Sequence, residues 1–96
     1  MKTNIEITAE AEQDISSIIT NIKLQHPAIV RQTINELKKQ FQLLSARPEA
    51  GRQGGHDGTR EVVIPGLPYI AIYERTAAGI TIVRVLAGTD DKNIGV

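Results

Sequence analysis

Six side chains in the second half of this 96-residue chain are of types that handle charge or protons: Arg52, Arg60, Glu61, Tyr69, Tyr73 and Arg84. Arginines hold anions, a carboxylate can take up a proton and a phenol can release one. Each also has an ordinary structural use. Arg60 and Glu61 are neighbours and would make a surface ion pair worth about 0–1 kcal/mol. Tyr69 and Tyr73 would pack their rings and leave a wet hydroxyl. Arg84 interrupts the apolar run Ile82-Val83-Arg84-Val85-Leu86, and there it must find a partner or reach solvent, because an unpaired buried charge is costly. His26 and His56 have no partner at metal-ligand spacing, and the chain has no cysteine. Neither a metal nor a disulfide is expected, and no cofactor is implied.

The elements that must position these residues follow from hydrophobic period and punctuation. Lys2 to Ile7 alternates polar and apolar and reads as a first strand. Thr8 can cap a helix, with Glu10, Glu12 and Asp14 in its first turns, where carboxylates suit the helix dipole. Ala11, Ile15, Ile18, Ile19 and Ile22 form one apolar stripe. His26-Pro27 ends that helix, and Pro27 is placed to open a second one. In this second helix Val30, Ile34, Leu37, Phe41 and Leu44 make a matching seam, so the two helices should pair antiparallel. Pro48 and Gly51 stop the helix, and RPEAGRQGGHDG reads as a glycine-rich loop. Three strands should follow: Glu61 to Ile64, Tyr69 to Arg75 and Ile80 to Ala87. Pro65-Gly66-Leu67-Pro68 forms the first turn, with Gly66 at positive φ.

The expected class is therefore α+β: an N-terminal strand, a two-helix hairpin, then a three-stranded antiparallel meander, all in one small sheet. An even-length loop at Ala77-Ala78 sets Tyr73 opposite Ile82 and Ala71 opposite Arg84. Alternation then gives Tyr69, Ala71, Tyr73 and Arg75 a common face with Ile80, Ile82, Arg84 and Leu86. The aliphatic set Ile70, Ile72, Val83 and Val85 is expected to meet the helices. The face with both tyrosines, Ile82 and Arg84 is expected to meet a partner, and a slip of one residue would reverse the assignment.

Length and composition agree with a single domain spanning residues 1–96. Apolar residues make up 41% and charged residues 23%, as in ordinary globular domains. No apolar run approaches the roughly 20 residues of a membrane span, and MKTNIEITAEAEQD lacks the apolar core of a signal peptide. A cytoplasmic location is expected. Net charge is zero, with balances of −2 over residues 1–30, +3 over 31–60 and −1 over 61–96. An anionic partner would thus meet the middle of the chain.

The ordered set formed by the helix pair, Pro48-x-x-Gly51-Arg52, Gly58-Thr59-Arg60-Glu61, Pro65-x-x-Pro68-Tyr69-Ile70-x-Ile72-Tyr73 and Ile82-Val83-Arg84-Val85-Leu86 resembles the RelE/ParE toxin superfamily of type II toxin–antitoxin modules, often labelled plasmid stabilisation proteins. The resemblance runs from Ile5 to about Gly88. It implies a cognate antitoxin that neutralises the toxin in a hetero-oligomer, folding a disordered segment onto it. It also implies one of two targets. RelE-like members cut messenger RNA at the ribosome, which requires a base, an acid and a cation for the phosphate. Glu61, Tyr73 and the arginines Arg60, Arg84 and Arg52 are the candidates for those roles. ParE-like members bind DNA gyrase instead, and fold alone does not choose between the two.

Nuclease members often carry a basic residue in the strand that here reads Ile70-Ala71-Ile72, and many place a His or Tyr after the last strand. This chain has Ala87-Gly88-Thr89-Asp90-Asp91 there, and zero net charge suits a ribosomal site poorly. A ParE-like gyrase-binding toxin is therefore expected, a binding module and not an enzyme. Arg52, Arg60, Tyr69, Tyr73, Ile82 and Arg84 are its candidate target- or antitoxin-binding residues. An mRNA endonuclease, or a non-toxic remnant that keeps antitoxin binding, are the alternatives.

Overall fold

The computed structural model describes residues 4–55 and 58–88. Strand β1 covers Asn4–Ile7, helix α1 Ala9–Gln25 and helix α2 Val30–Ala46, followed by β2 Arg52–Gln53, β3 Thr59–Val63, β4 Tyr69–Arg75 and β5 Gly79–Ala87. The sheet has five strands in the order β1-β5-β4-β3-β2. β1 pairs parallel to β5, and the other pairings are antiparallel. The α+β class with a helix pair and a meander stands, with one strand more than expected.

Local chemistry explains the boundaries. Thr8 caps α1 by accepting from the Ala11 N–H at 3.0 Å. Helix α1 stops at His26, ahead of Pro27. Pro27 does not open α2 directly: Pro27–Ile29 forms a 3₁₀ turn, and α2 begins at Val30. The turn after β3 contains Gly66 at φ 78°, a left-handed conformation that glycine adopts without a Cβ penalty. The segment read as one glycine-rich loop contains β2. Its two residues pair Arg52 with Glu61 and Gln53 with Arg60, a strand too short to show any period in the sequence. His56 lies outside the described residues, as do Lys2 and Thr3 of the expected first strand and the segment 89–91.

The core joins Ala11, Ile18 and Ile22 of α1 and Leu37, Phe41 and Leu44 of α2 to Ala71, Tyr73, Ile80, Ile82 and Val85 of the sheet. The helices thus cover one sheet face. The face assignment for β4 is the reverse of the expected one: Tyr69, Ala71 and Tyr73 lie on the helix side, and Ile70 and Ile72 point away.

Two physical causes account for this. Tyr73 finds hydrogen-bond partners inside, described below, so its ring can fill the core. In addition, β5 carries a bulge. Tyr73 pairs with Ile82 as expected, but Ile72 pairs with Arg84 and Ala71 with Val85, which leaves Val83 as the extra residue. The bulge keeps Ile82 and Val85 on the same buried side although they are three residues apart. It also turns Arg84 to the open side, registered with Ile72 and not with the tyrosines.

Candidate functional site

Tyr73 is fully buried on β4. A buried phenol must satisfy its hydroxyl. Here it donates to the Pro48 carbonyl at 2.8 Å and accepts from the Gly51 N–H at 2.8 Å. Gly51 is required for this approach. A Cβ at that position would lie 2.7 Å from the Glu61 carbonyl oxygen and 2.7 Å from the Tyr73 hydroxyl. Arg60, in register with Tyr73 across β3–β4, closes the same loop: its Nη1 donates to the Gly51 carbonyl at 2.7 Å and to the Glu49 carbonyl at 3.3 Å. Tyr73 and Arg60 thus form a clasp on the segment that leaves α2. The expected Arg60–Glu61 ion pair is absent, because neighbours on a strand point to opposite faces. Glu61 instead pairs with Arg52 at 3.5 Å.

Arg84 forms a second centre. Its Nε donates to Asp14 Oδ2 at 2.6 Å and its Nη2 to Oδ1 at 3.0 Å, a bidentate pair. Asp14 Oδ2 also accepts from the Val85 N–H at 3.0 Å. The pairing of β1 with β5 ends at Ile7–Ile82, so beyond that point the α1 carboxylate does for Val85 what a strand would have done. The Arg84 hydrogen bond, aided by the Val85 N–H, holds the Asp14 carboxyl below its ordinary range despite partial burial. The same bond raises the Arg84 guanidinium further. Thr8 adds a tie at this edge: its N–H donates to the Ile82 carbonyl at 3.0 Å and its hydroxyl to the Val83 carbonyl at 2.9 Å.

The sheet face away from the helices is built from cross-strand rungs. One carries Val63, Ile70 and Leu86, the next Glu61, Ile72 and Arg84, with Arg52 beside Glu61. The rung of Thr59, Glu74 and Thr81 ends on Glu6 of β1. Of the sequence candidates, the fold brings Arg60 to Tyr73 and Arg52 to Glu61. Arg84 stands apart on Asp14. Tyr69 packs against the core, and Ile82 and Tyr73 are inside it. The shared outer face of Tyr69, Tyr73, Ile82 and Arg84 does not form.

Asp14 escaped the sequence reading except as a helix-dipole charge. The available signal was Arg84 itself, which demanded a carboxylate somewhere in a chain that offers eleven acidic residues. Among the described residues no group of three His, Cys, Asp or Glu could hold a metal ion. Nor is any described helix long and apolar enough to cross a membrane.

A helix pair on one face of a sheet ordered β1-β5-β4-β3-β2 is the architecture of the RelE/ParE toxin superfamily. The family model of the ParE toxin of type II toxin–antitoxin systems (parDE) matches residues 5–92, and the chain belongs to that family. Among solved structures, a chain of the chromosomal ParDE system from P. aeruginosa is similar with a TM-score of 0.79 and 20% identity, over 90% of this chain and 96% of that one. The isolated E. coli RelE toxin is similar with a TM-score of 0.62 and 13% identity, over 98% and 93% of the two chains. A chain of the E. coli DinJ–YafQ toxin–antitoxin complex gives a TM-score of 0.60 and 19% identity, over 91% and 93%. At these identities the likeness concerns the fold. A search of curated proteins gave no match.

Proposed function

We propose that this chain is a growth-arresting toxin that acts by binding DNA gyrase and is held inactive in a hetero-oligomer with a cognate antitoxin. Membership of the ParE family supports the toxin class, and toxin–antitoxin complexes among the similar structures support the partner.

The observation that carries the choice of target is the dispersal of the nuclease candidates. Cutting RNA through its 2′-hydroxyl needs a base, an acid and a cation around one phosphate. The phenol of Tyr73 is enclosed between Pro48 and Gly51, Arg60 is spent on loop carbonyls, and Arg84 is clamped by Asp14. Glu61 lies on the sheet face opposite to Tyr73. These four side chains converge on no common point, which favours action by binding over cleavage. On this reading Arg52, Tyr69 and Arg84 remain contact residues, while Arg60, Tyr73 and Ile82 support the surface from within.

Two measurements on the induced toxin test the proposal. Gyrase supercoiling and cleavage-complex assays are expected to show inhibition, while primer extension on translated messenger RNA shows no new ends. Codon-linked cuts with unperturbed gyrase would replace this reading with the RelE-like one. Silence in both assays, with antitoxin binding retained, would leave a non-toxic antitoxin-binding remnant.

A further inference from the structure

We infer that the open sheet face is the seat of an antitoxin segment that brings its own positive charge, with its apolar side chains on Val63, Ile72 and Leu86 and a lysine or arginine between Glu6 and Glu74. The inference rests on the toxin–antitoxin reading above.

The face is apolar at one end and acidic at the other. Val63 and Ile72 are half-buried and Leu86 is 37% exposed, with no described helix on this side to cover them, while Ile70 between Val63 and Leu86 is itself buried. At the far end Glu74, Thr81 and Glu6 lie side by side on β4, β5 and β1. The two glutamates are two strand spacings apart, about 10 Å, with the Thr81 hydroxyl position between them. Both glutamates are exposed, and neither has an ion-pair partner among the described residues. The described arginines on this face are engaged elsewhere. Arg52 is paired with Glu61 and Arg84 with Asp14, and these pairs stand between the apolar and acidic ends.

Charge selects the kind of occupant. A phosphate backbone would meet two uncompensated carboxylates and arginines already engaged, so nucleic acid is disfavoured. A cationic side chain over Thr81 would sit about 5 Å laterally from each glutamate, half their strand separation, within range of a favourable interaction. Size selects the segment. Ile70 and Glu74 are four residues apart on one strand, about 13 Å, and the three strands span about 10 Å. That footprint fits one peptide segment, not a globular surface of standard interface size. A segment bearing an apolar residue and a basic residue about 13 Å apart matches both ends. That spacing is four residues in an extended chain or about nine in a helix.

The test uses the purified full-length protein and its cognate antitoxin. Charge reversal at the two exposed sites, Glu6→Lys with Glu74→Lys, is expected to weaken antitoxin binding by about tenfold or more at low salt. The loss should shrink as salt rises, since exposed charges are screened. The neutral pair Glu6→Gln with Glu74→Gln should show a smaller loss of the same sign, and thermal melts check that both variants fold. Gyrase inhibition by the charge-reversed protein should persist. Unchanged antitoxin affinity in both folded variants overturns this inference and leaves the toxin–antitoxin reading intact. Loss of gyrase inhibition at unchanged antitoxin affinity also overturns it, and assigns the face to the target. If a labelled single-stranded RNA binds the wild type and the antitoxin competes it off, the face is a nucleic-acid site and the inference is wrong. An antitoxin that fails to bind the wild type removes the toxin–antitoxin reading itself.

Discussion

Tyr73 does its work through one oxygen atom. The ring supplies apolar volume that a leucine could also supply, but the hydroxyl holds the loop from Pro48 to Gly51 against the sheet. Tyr73→Phe keeps the volume and leaves the Gly51 N–H and the Pro48 carbonyl without that partner. Chemical denaturation should therefore report a loss of about 1–3 kcal/mol, the cost of stranding buried polar groups. A loss below about 0.5 kcal/mol would mean that water replaces the phenol freely, and the clasp would then be incidental. Arg60 belongs to the same clasp, so its charge is better understood as a cross-brace than as a phosphate ligand. From the sequence, Tyr73 looked like an outward phenol because aliphatic side chains seemed better suited to the helices. What placed it inside was a pair of backbone partners 22 and 25 residues away in the chain, which no local pattern encodes.

At the scale of elements, helix α1 is joined to the sheet through its first turns. Thr8 both caps the helix and donates to the Val83 carbonyl at the bulge. Thr8→Ala is expected to cost about 1–2 kcal/mol in urea denaturation with an unchanged slope, the upper range of a cap loss, because two bonds go together. An effect confined to a few tenths would show that the bulge carbonyl needs no side-chain partner.

The elements themselves were legible where period and punctuation were strong: both helix seams, β4 to the residue, and the Gly66 turn. The Tyr73–Ile82 register was legible as well. The bulge was not, because one extra residue in β5 leaves no mark on composition yet switches the side of every residue beyond it relative to those before it. Hence Arg84, Val85 and Leu86, beyond the bulge, lie on the sides expected of them, while Tyr69, Ala71, Tyr73, Ile80 and Ile82 lie on the opposite ones. β2 was missed for a related reason: two residues held by the edge of β3 have no pattern of their own.

At the scale of the whole molecule, zero net charge conceals a division of labour. Among the described residues, Arg52 and Arg84 on or beside the open face are neutralised by carboxylates from other elements, and the charge there without an ion-pair partner is that of Glu6 and Glu74. One of these pairs makes stability depend on pH in a defined direction. The Arg84 hydrogen bond lowers the Asp14 carboxyl from its ordinary value of 3.8. A carboxyl depressed in the folded state stabilises fully above its unfolded value, and that contribution is lost as pH falls through the folded value. Melting temperatures of wild type and Asp14→Asn should therefore differ by a constant amount above about pH 5 and converge as the medium becomes more acidic than about pH 4. A gap that stays constant into strong acid would show that the pair contributes nothing through ionisation.

The parallel pairing of β1 with β5 also bears on how the protein comes into being. Asn4 is registered with Gly79 and Ile7 with Ile82, so the first strand made is completed by the last. Contacts of such long sequence separation form late, since the loop they close must first lose its freedom. During synthesis β1 has no strand to join until β5 has left the ribosome, and Asp14 and Thr8 wait for the same strand. The sheet face that a partner would recognise is thus complete only after translation has passed Leu86, and a chain cut short before β5 would lack the β1–β5 edge and the β5 end of every rung.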